Sequence, residues 1–174
     1  MIKKKHLYKH YKKELNDKSS FLIGQKAFIV NSKGKVLILK RHAKSTKSQM
    51  WDFPGGRLNF TESLRGGLLR EVKEEVGLDI IIISLPLSIV CFLRDIDRNT
   101  QITRIIYLCS ASGKLILSKE HSDSKWINPI NHNKYKFIGE DYHTAFENYL
   151  KFKPQIKEYL GEGILQDSIN HKNS

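Results

Sequence analysis

Residues 56–78 read GRLNFTESLRGGLLREVKEEVGL, from Gly56 to Leu78. Thr61 offers a side-chain oxygen to cap a helix and Gly77 offers the left-handed turn that ends one, so the spacing predicts a helix from Glu62 to Val76. At about a hundred degrees per residue, Leu64, Leu68, Leu69, Val72 and Val76 fall on one apolar arc that can bury against a sheet. Beside that arc stand Glu71, Glu74 and Glu75, brought onto one face by spacings of three and four residues. Gly67, one turn earlier on the same side, leaves room for something to approach the backbone. Three carboxylates so placed repel one another. A hard divalent cation, which takes oxygen ligands, relieves that repulsion, and such a cation can also bind phosphates and activate water. Taken alone, the triplet is better explained as a solvated acidic face, so the decision falls to the residues around it.

Those residues are spaced in a set way: Gly56, five residues, Glu62, seven residues, then Arg70-Glu71-Val72-Lys73-Glu74-Glu75-Val76-Gly77-Leu78. This resembles the Nudix box at every defining position, with Val72 and Leu78 at its two aliphatic sites. The preceding Trp51-Asp52-Phe53-Pro54-Gly55-Gly56 is similar to the family's usual lead-in. Glu120-His121 followed by Trp126 is similar to a downstream element common in the family. Together these cover residues 22–152, most of the chain.

The resemblance implies an α/β fold, an α/β/α sandwich around a mixed sheet with a loop-helix-loop metal site. It implies a hydrolase that cleaves a diphosphate linkage in a nucleoside triphosphate, nucleotide sugar or related nucleoside diphosphate derivative. Glu71, Glu74 and Glu75 would hold Mg2+ or Mn2+ with the backbone carbonyl of Gly55 nearby, and Glu71 and Glu74 would carry catalysis. Glu120, from outside the box, would serve as a ligand or general base, an ordinary loop acid being the plain alternative. Glu62 and Arg70 would pair to fix the loop against the helix, with Glu74 also in reach of Arg70; Gly56 and Gly77 complete the structural part of the box. Arg41, Trp51 and Arg57 are the candidate substrate contacts. Trp51, like Trp126, has core or rim packing as the competing assignment. Gly66 and Gly67 stand where the box often has alanine, at a cost to the helix of about 1 kcal/mol each. Short markers of the ADP-ribose and dinucleoside polyphosphate subfamilies are missing past the box, around Leu93-Arg94-Asp95.

Outward from the box, Gln25 to Val30 and Val36 to Arg41 read as strands joined by a turn at Asn31-Ser32-Lys33-Gly34. Ala43 to Gln49 reads as an exposed loop. Ile80 to Leu93 and Ile102 to Ser110 read as strands, with a polar tip from Arg94 to Thr100. Lys114 to Leu117 reads as a further short strand, Ser118 to Lys125 as a loop, and Glu140 to Phe152 as a final helix. The domain organisation is a basic extension over 1–20, one domain over 21–155 and a polar tail over 156–174.

Thirty Lys and Arg against eighteen Asp and Glu give a net charge of +12, an excess that attracts phosphates. Six lysines crowd the first eighteen residues, where Leu7, Tyr11 and Leu15 allow a short amphipathic helix. A solubilising face is the plain reading of that arm, and RNA binding, with a 5′ pyrophosphohydrolase activity, the second. A non-catalytic Nudix-fold ligand sensor is the reading from another class, opposed by the full set of box glutamates. Cys91 and Cys109 lie in strand-like stretches and read as reduced, buried thiols. No stretch is long and apolar enough for a membrane span or a signal peptide, so a cytoplasmic protein acting on a small nucleotide-like substrate is expected. Oligomeric state is left open, with a homodimer among the options.

Overall fold

Alternation along the first strand sets the two faces of the molecule. Ala27 and Ile29 pack to one side of the sheet and Phe28 and Val30 to the other, all of them buried. In the computed structural model, which describes residues 20–42, 47–94 and 97–164, this strand is β1 (Ser20–Val30). Then come β2 (Val36–Arg41), β3 (Trp51–Asp52), α1 (Leu64–Val76), β4 (Asp79–Arg94), β5 (Asp97–Ser112) and β6 (His121–Ile127). A 3-10 helix (Pro129–Lys134) and α2 (Asp141–Ile164) close the chain. The basic leader up to residue 19, part of the loop placed at Ala43 to Gln49, and the tail from residue 165 lie outside the described residues.

The strands form a mixed sheet of order β3-β2-β1-β5-β4, with β6 paired to β2. β1 runs parallel to β5 from Ser20 opposite Thr100 to Val30 opposite Ser110, while β4 and β5 are antiparallel. β1 and β2 are in register only beside their turn, at Val30 and Val36. Further along, the edge of β1 is taken by the chain that follows β3. Ala27 N donates to Pro54 O, Gln25 N to Gly56 O, and Leu58 N to Ile23 O, at 2.8, 2.8 and 2.9 Å. That insertion delivers the start of the box into the sheet.

One helix covers each face, giving the expected α/β/α sandwich. α1 buries Leu68, Val72 and Val76 completely, against Ala27, Ile29, Leu37 and Leu39. On the other face α2 sets Tyr142, Phe146 and Tyr149 against Phe28, Val30, Ile38 and Ile106. Replacing Leu68 with alanine should leave a cavity in the first layer and cost about 2–5 kcal/mol, readable in a urea unfolding curve.

Several local expectations change. β1 starts at Ser20, not Gln25; Phe21 and Ile23 are exposed, so no burial pattern marks those residues and pairing to β5 makes them strand. The helix cap is Ser63, whose Oγ accepts from Gly66 N at 3.0 Å; Thr61 has φ 72°, incompatible with the extended backbone of a cap. Leu64 is therefore in the first turn and 42% exposed, off the buried arc. Gly77 ends the helix as expected, with φ 70° and its N–H on Lys73 O.

Residues 114–117 are not a strand. Ile116 N and Ser118 N instead donate to the Val76 and Glu75 carbonyls at 2.9 and 2.8 Å, satisfying the open end of α1. His121 to Lys125, expected as loop, belongs to β6. α2 runs past Pro154 to Ile164, so the boundary placed at residue 155 falls inside a helix. Cys91 is exposed and only Cys109 is buried; both are reduced. Among the described residues no helix is long and apolar enough to cross a membrane.

Candidate active site

The loop between β3 and α1 is shaped by two closely packed glycines, Gly55 against backbone and Gly56 against a side chain. Gly55 has φ 125°, and a Cβ there would collide with the Gln25 carbonyl. A Cβ on Gly56 would collide with the Glu71 carboxylate, so that carboxylate lies directly against the box glycine. Gly67 is tight as well: a Cβ would stand 2.7 Å from Leu58 Cδ1 and 3.2 Å from both Gln25 Oε1 and Glu62 Oε2. What approaches its backbone is the loop itself. Gln25 adds a bond from Nε2 to Leu64 O at 2.7 Å, tying β1 to the first turn of α1.

The box arginine organises three carboxylates, of which Glu74 is exposed and Glu62 and Glu71 are half-buried. Arg70 meets Glu62 through two parallel bonds, Nε to Oε1 at 2.6 Å and Nη2 to Oε2 at 3.1 Å. Its Nη1 lies 3.0 Å from Glu71 Oε1 and 3.0 Å from Glu74 Oε2. Glu62 Oε2 also accepts the Asn59 N–H at 2.9 Å. The Arg70 hydrogen bonds, with that N–H, hold the Glu62 carboxyl at about 2. The expected loop-to-helix pair is therefore present, and so is the contact one turn on.

Glu75 is different. It is buried, and its Oε2 accepts from Gly55 N at 2.7 Å. Burial pushes its carboxyl up to about 7, against the pull of the Lys26 charge and the Gly55 N–H. A buried carboxylate with no full ion pair is an anion waiting for counter-charge.

Beneath the loop lies a buried polar network that reading the residues in order did not find. Lys26 Nζ donates to Asp52 Oδ2 at 3.0 Å, to Phe53 O at 3.1 Å and to Gly55 O. Asp52 also accepts from Tyr142 Oη at 2.6 Å and from Arg41 Nη1 at 3.1 Å. Burial alone would raise the Asp52 carboxyl, but the Lys26 ammonium, the Tyr142 hydroxyl and the Arg41 charge hold it below its ordinary value. The one signal available was a lysine, beside Gln25, inside a mainly apolar strand.

The other sequence candidates are distributed unevenly. Arg41 is at the site's edge with its guanidinium on Asp52. Arg57 is exposed on the loop, its carbonyl 3.5 Å from Arg70 Nη2. Trp51 is only 8% exposed, packs edge-on against Tyr135 and has the Lys125 ammonium 5.2 Å from its ring centre. Glu120 is exposed, and it is the adjacent His121 that turns inward. His121 Nε2 stands 3.9 Å from Glu75 Oε1, while its Nδ1 has no partner among the described residues. Burial lowers the His121 pKa.

Among the described residues no three acidic, imidazole or thiol side chains converge as a metal cage. Arg70 draws Glu71 and Glu74, and Glu75 turns to the Gly55 N–H. The donor chemistry nonetheless fits a hard divalent ion, being all oxygen, with one buried carboxylate short of counter-charge.

The profile of the NUDIX domain family matches residues 22–145. An 8-oxo-dGTP diphosphatase of Buchnera aphidicola subsp. Schizaphis graminum is 33% identical over 99 residues, 57% of this chain and 72% of that one. A CTP pyrophosphohydrolase of Escherichia coli K12 is 40% identical over 53 residues, 30% of this chain and 39% of that relative's length. The solved structure of a MutT protein from Methanosarcina mazei Go1 superposes with a TM-score of 0.66 at 26% identity, covering 82% of this chain and 99% of that one. A match over most of the chain, on a fold shared with that structure, makes the assignment: the chain belongs to the NUDIX domain family.

Proposed function

We propose that the protein is a divalent-metal-dependent hydrolase that cleaves a diphosphate linkage of a nucleoside triphosphate. The observation that carries this reading is the buried Glu75 carboxyl beside Glu71 and the box glycines, a carboxyl whose hydrogen bond comes from the Gly55 N–H and not from a lysine or arginine. The named activities of the Buchnera and E. coli relatives both concern nucleoside triphosphates, which favours that class over nucleotide sugars.

Glu71, Glu74, Glu75 and the Gly55 carbonyl would hold Mg2+ or Mn2+. When bound, the ion neutralises phosphate charge and makes water a better nucleophile. The chain's own part is positional. Arg70, pinned by Glu62, keeps the helix carboxylates facing the loop. Arg57 on the loop and Arg41 at the edge supply positive charge toward the substrate's phosphates. A carboxylate oxygen of Glu71, or of Glu120 if β6 brings it closer with substrate bound, accepts the proton of the attacking water.

The test is a panel of nucleoside triphosphates, nucleotide sugars and a short 5′-triphosphate RNA, each with Mg2+ and with Mn2+, read by released phosphate or pyrophosphate. Turnover of a triphosphate that chelation stops is the expected result; turnover that survives exhaustive chelation refutes the reading. Deleting residues 1–18 should leave hydrolysis of the best small substrate nearly unchanged. Were the arm an RNA contact, the truncation would flatten the salt dependence of RNA binding, since each lost phosphate contact removes a released counterion.

A further inference from the structure

We propose that Lys26 is a positioning residue of this reaction, a fixed internal cation that sets the orientation of the Gly55 peptide. The inference rests on the hydrolase reading of the site, and Lys26 itself lies outside the box.

A lysine ammonium has three donors, and all three are used on one short stretch of chain: the Asp52 carboxylate, the Phe53 carbonyl and the Gly55 carbonyl. The side chain is buried, so water does not compete for them. These partners are the turn that carries Gly55 from β3 to the box. The Gly55 peptide units are thereby gripped on both sides, the carbonyl by Lys26 and the N–H by Glu75 Oε2 at 2.7 Å. Neither grip can drift. Lys26 lies in the parallel register of β1 with β5, opposite Ile106, and Asp52 is anchored by Tyr142 Oη at 2.6 Å and Arg41 Nη1 at 3.1 Å. A chain of contacts thus runs from α2 through Tyr142, Asp52 and Lys26 to Gly55 and ends at Glu75.

The competing account is that Lys26 merely balances the buried Asp52 charge. A double substitution, Lys26→Met with Asp52→Asn, removes both charges together and leaves an amide oxygen for Tyr142 and Arg41. Replacing a buried ion pair as a unit is commonly tolerated, where removing one partner is not, so this variant is expected to fold with a cooperative melt even if Lys26→Met alone does not.

Three readouts apply to the double variant: amide hydrogen exchange at Gly55 and Gly56 in the metal-free protein, Mn2+ affinity without substrate, and kcat and KM on the best triphosphate. The expected result is faster exchange at Gly55, with Mn2+ affinity and kcat each down by about 10–100-fold, as for other partners that orient ligands, and KM little changed. Wild-type exchange and wild-type kcat in the folded double variant would overturn the proposal and leave Lys26 as a charge balance only. Failure of the hydrolase reading itself shows separately, as a wild-type protein inactive on the whole panel, and the exchange rate at Gly55 still decides whether Lys26 orients that peptide.

Discussion

Glu75→Gln should abolish turnover while making the metal-free protein more stable at neutral and alkaline pH. As a direct ligand, Glu75 is expected to cost more than the roughly 10–100-fold that outer partners cost. The stability gain follows from its burial. A carboxyl whose ordinary value is 4.5 is held at about 7 in the folded chain, so ionising it there opposes folding by on the order of 3 kcal/mol. Glutamine carries no charge and its Oε can still accept from Gly55 N. A rise of several degrees in Tm without metal is expected for a chain of this size. Glu74→Gln should lose activity too, but its carboxylate is 60% exposed and paired with Arg70, so its metal-free stability should hardly move. Equal stability changes in the two variants, or wild-type turnover by either, would remove the basis for treating Glu75 as the buried anion of the site.

The sign of the pH dependence follows from the same residue. With its folded value raised, Glu75 costs nothing below 4.5, and stability is lost as pH rises from there through about 7. Wild-type metal-free protein should therefore weaken over that window relative to Glu75→Gln, and added Mn2+ should restore it, by releasing the proton and supplying the counter-charge. Glu62 titrates in the opposite sense. Its carboxyl is held at about 2, so its pairing with Arg70 is intact above 4.5 and is lost as pH falls through 2.

What could be read from the chain was local. The Arg70 pair with Glu74 follows from one helical turn, the pair with Glu62 was implied by the resemblance to the box, and Gly77 at the helix end follows from its own freedom at positive φ. The sandwich was implied by the resemblance, and the order of elements agrees with it, because a helix with one apolar arc needs a sheet to cover. The network under the loop was out of reach for the opposite reason. Lys26 and Asp52 stand on different strands, and Tyr142 is 90 residues from Asp52, so no periodicity links them. For want of a strand, nothing in the sequence shows which way Glu120 and His121 face. Successive residues of a strand face opposite sides, and a segment taken as loop gives no way to choose between neighbours. Once β6 is seen to begin at His121, opposite Arg41, the imidazole is the side chain that faces Glu75.

Asp52→Ala should be among the most damaging single substitutions in the protein, although Asp52 touches no proposed metal position. The carboxylate is fully buried and serves three donors, from Lys26, Arg41 and Tyr142. Deleting it strands a buried ammonium and a buried hydroxyl, and breaking such a pair costs about 3–5 kcal/mol. Tyr142→Phe, which removes one hydrogen bond to a charged acceptor, should cost about 1.5–3 kcal/mol. Asp52→Asn should fall between wild type and Asp52→Ala, since an amide oxygen still accepts but carries no charge for Lys26. Urea unfolding at neutral pH orders the three variants, and an Asp52→Ala protein within about 1 kcal/mol of wild type would mean that water fills the place of the carboxylate. The acid limb gives a second check. Asp52 is held below its ordinary value of 3.8, so its contribution is complete above that pH and is lost as pH falls through the folded value. The gap between wild type and Asp52→Ala should therefore narrow only below pH 3.8, under the window in which Glu75 acts.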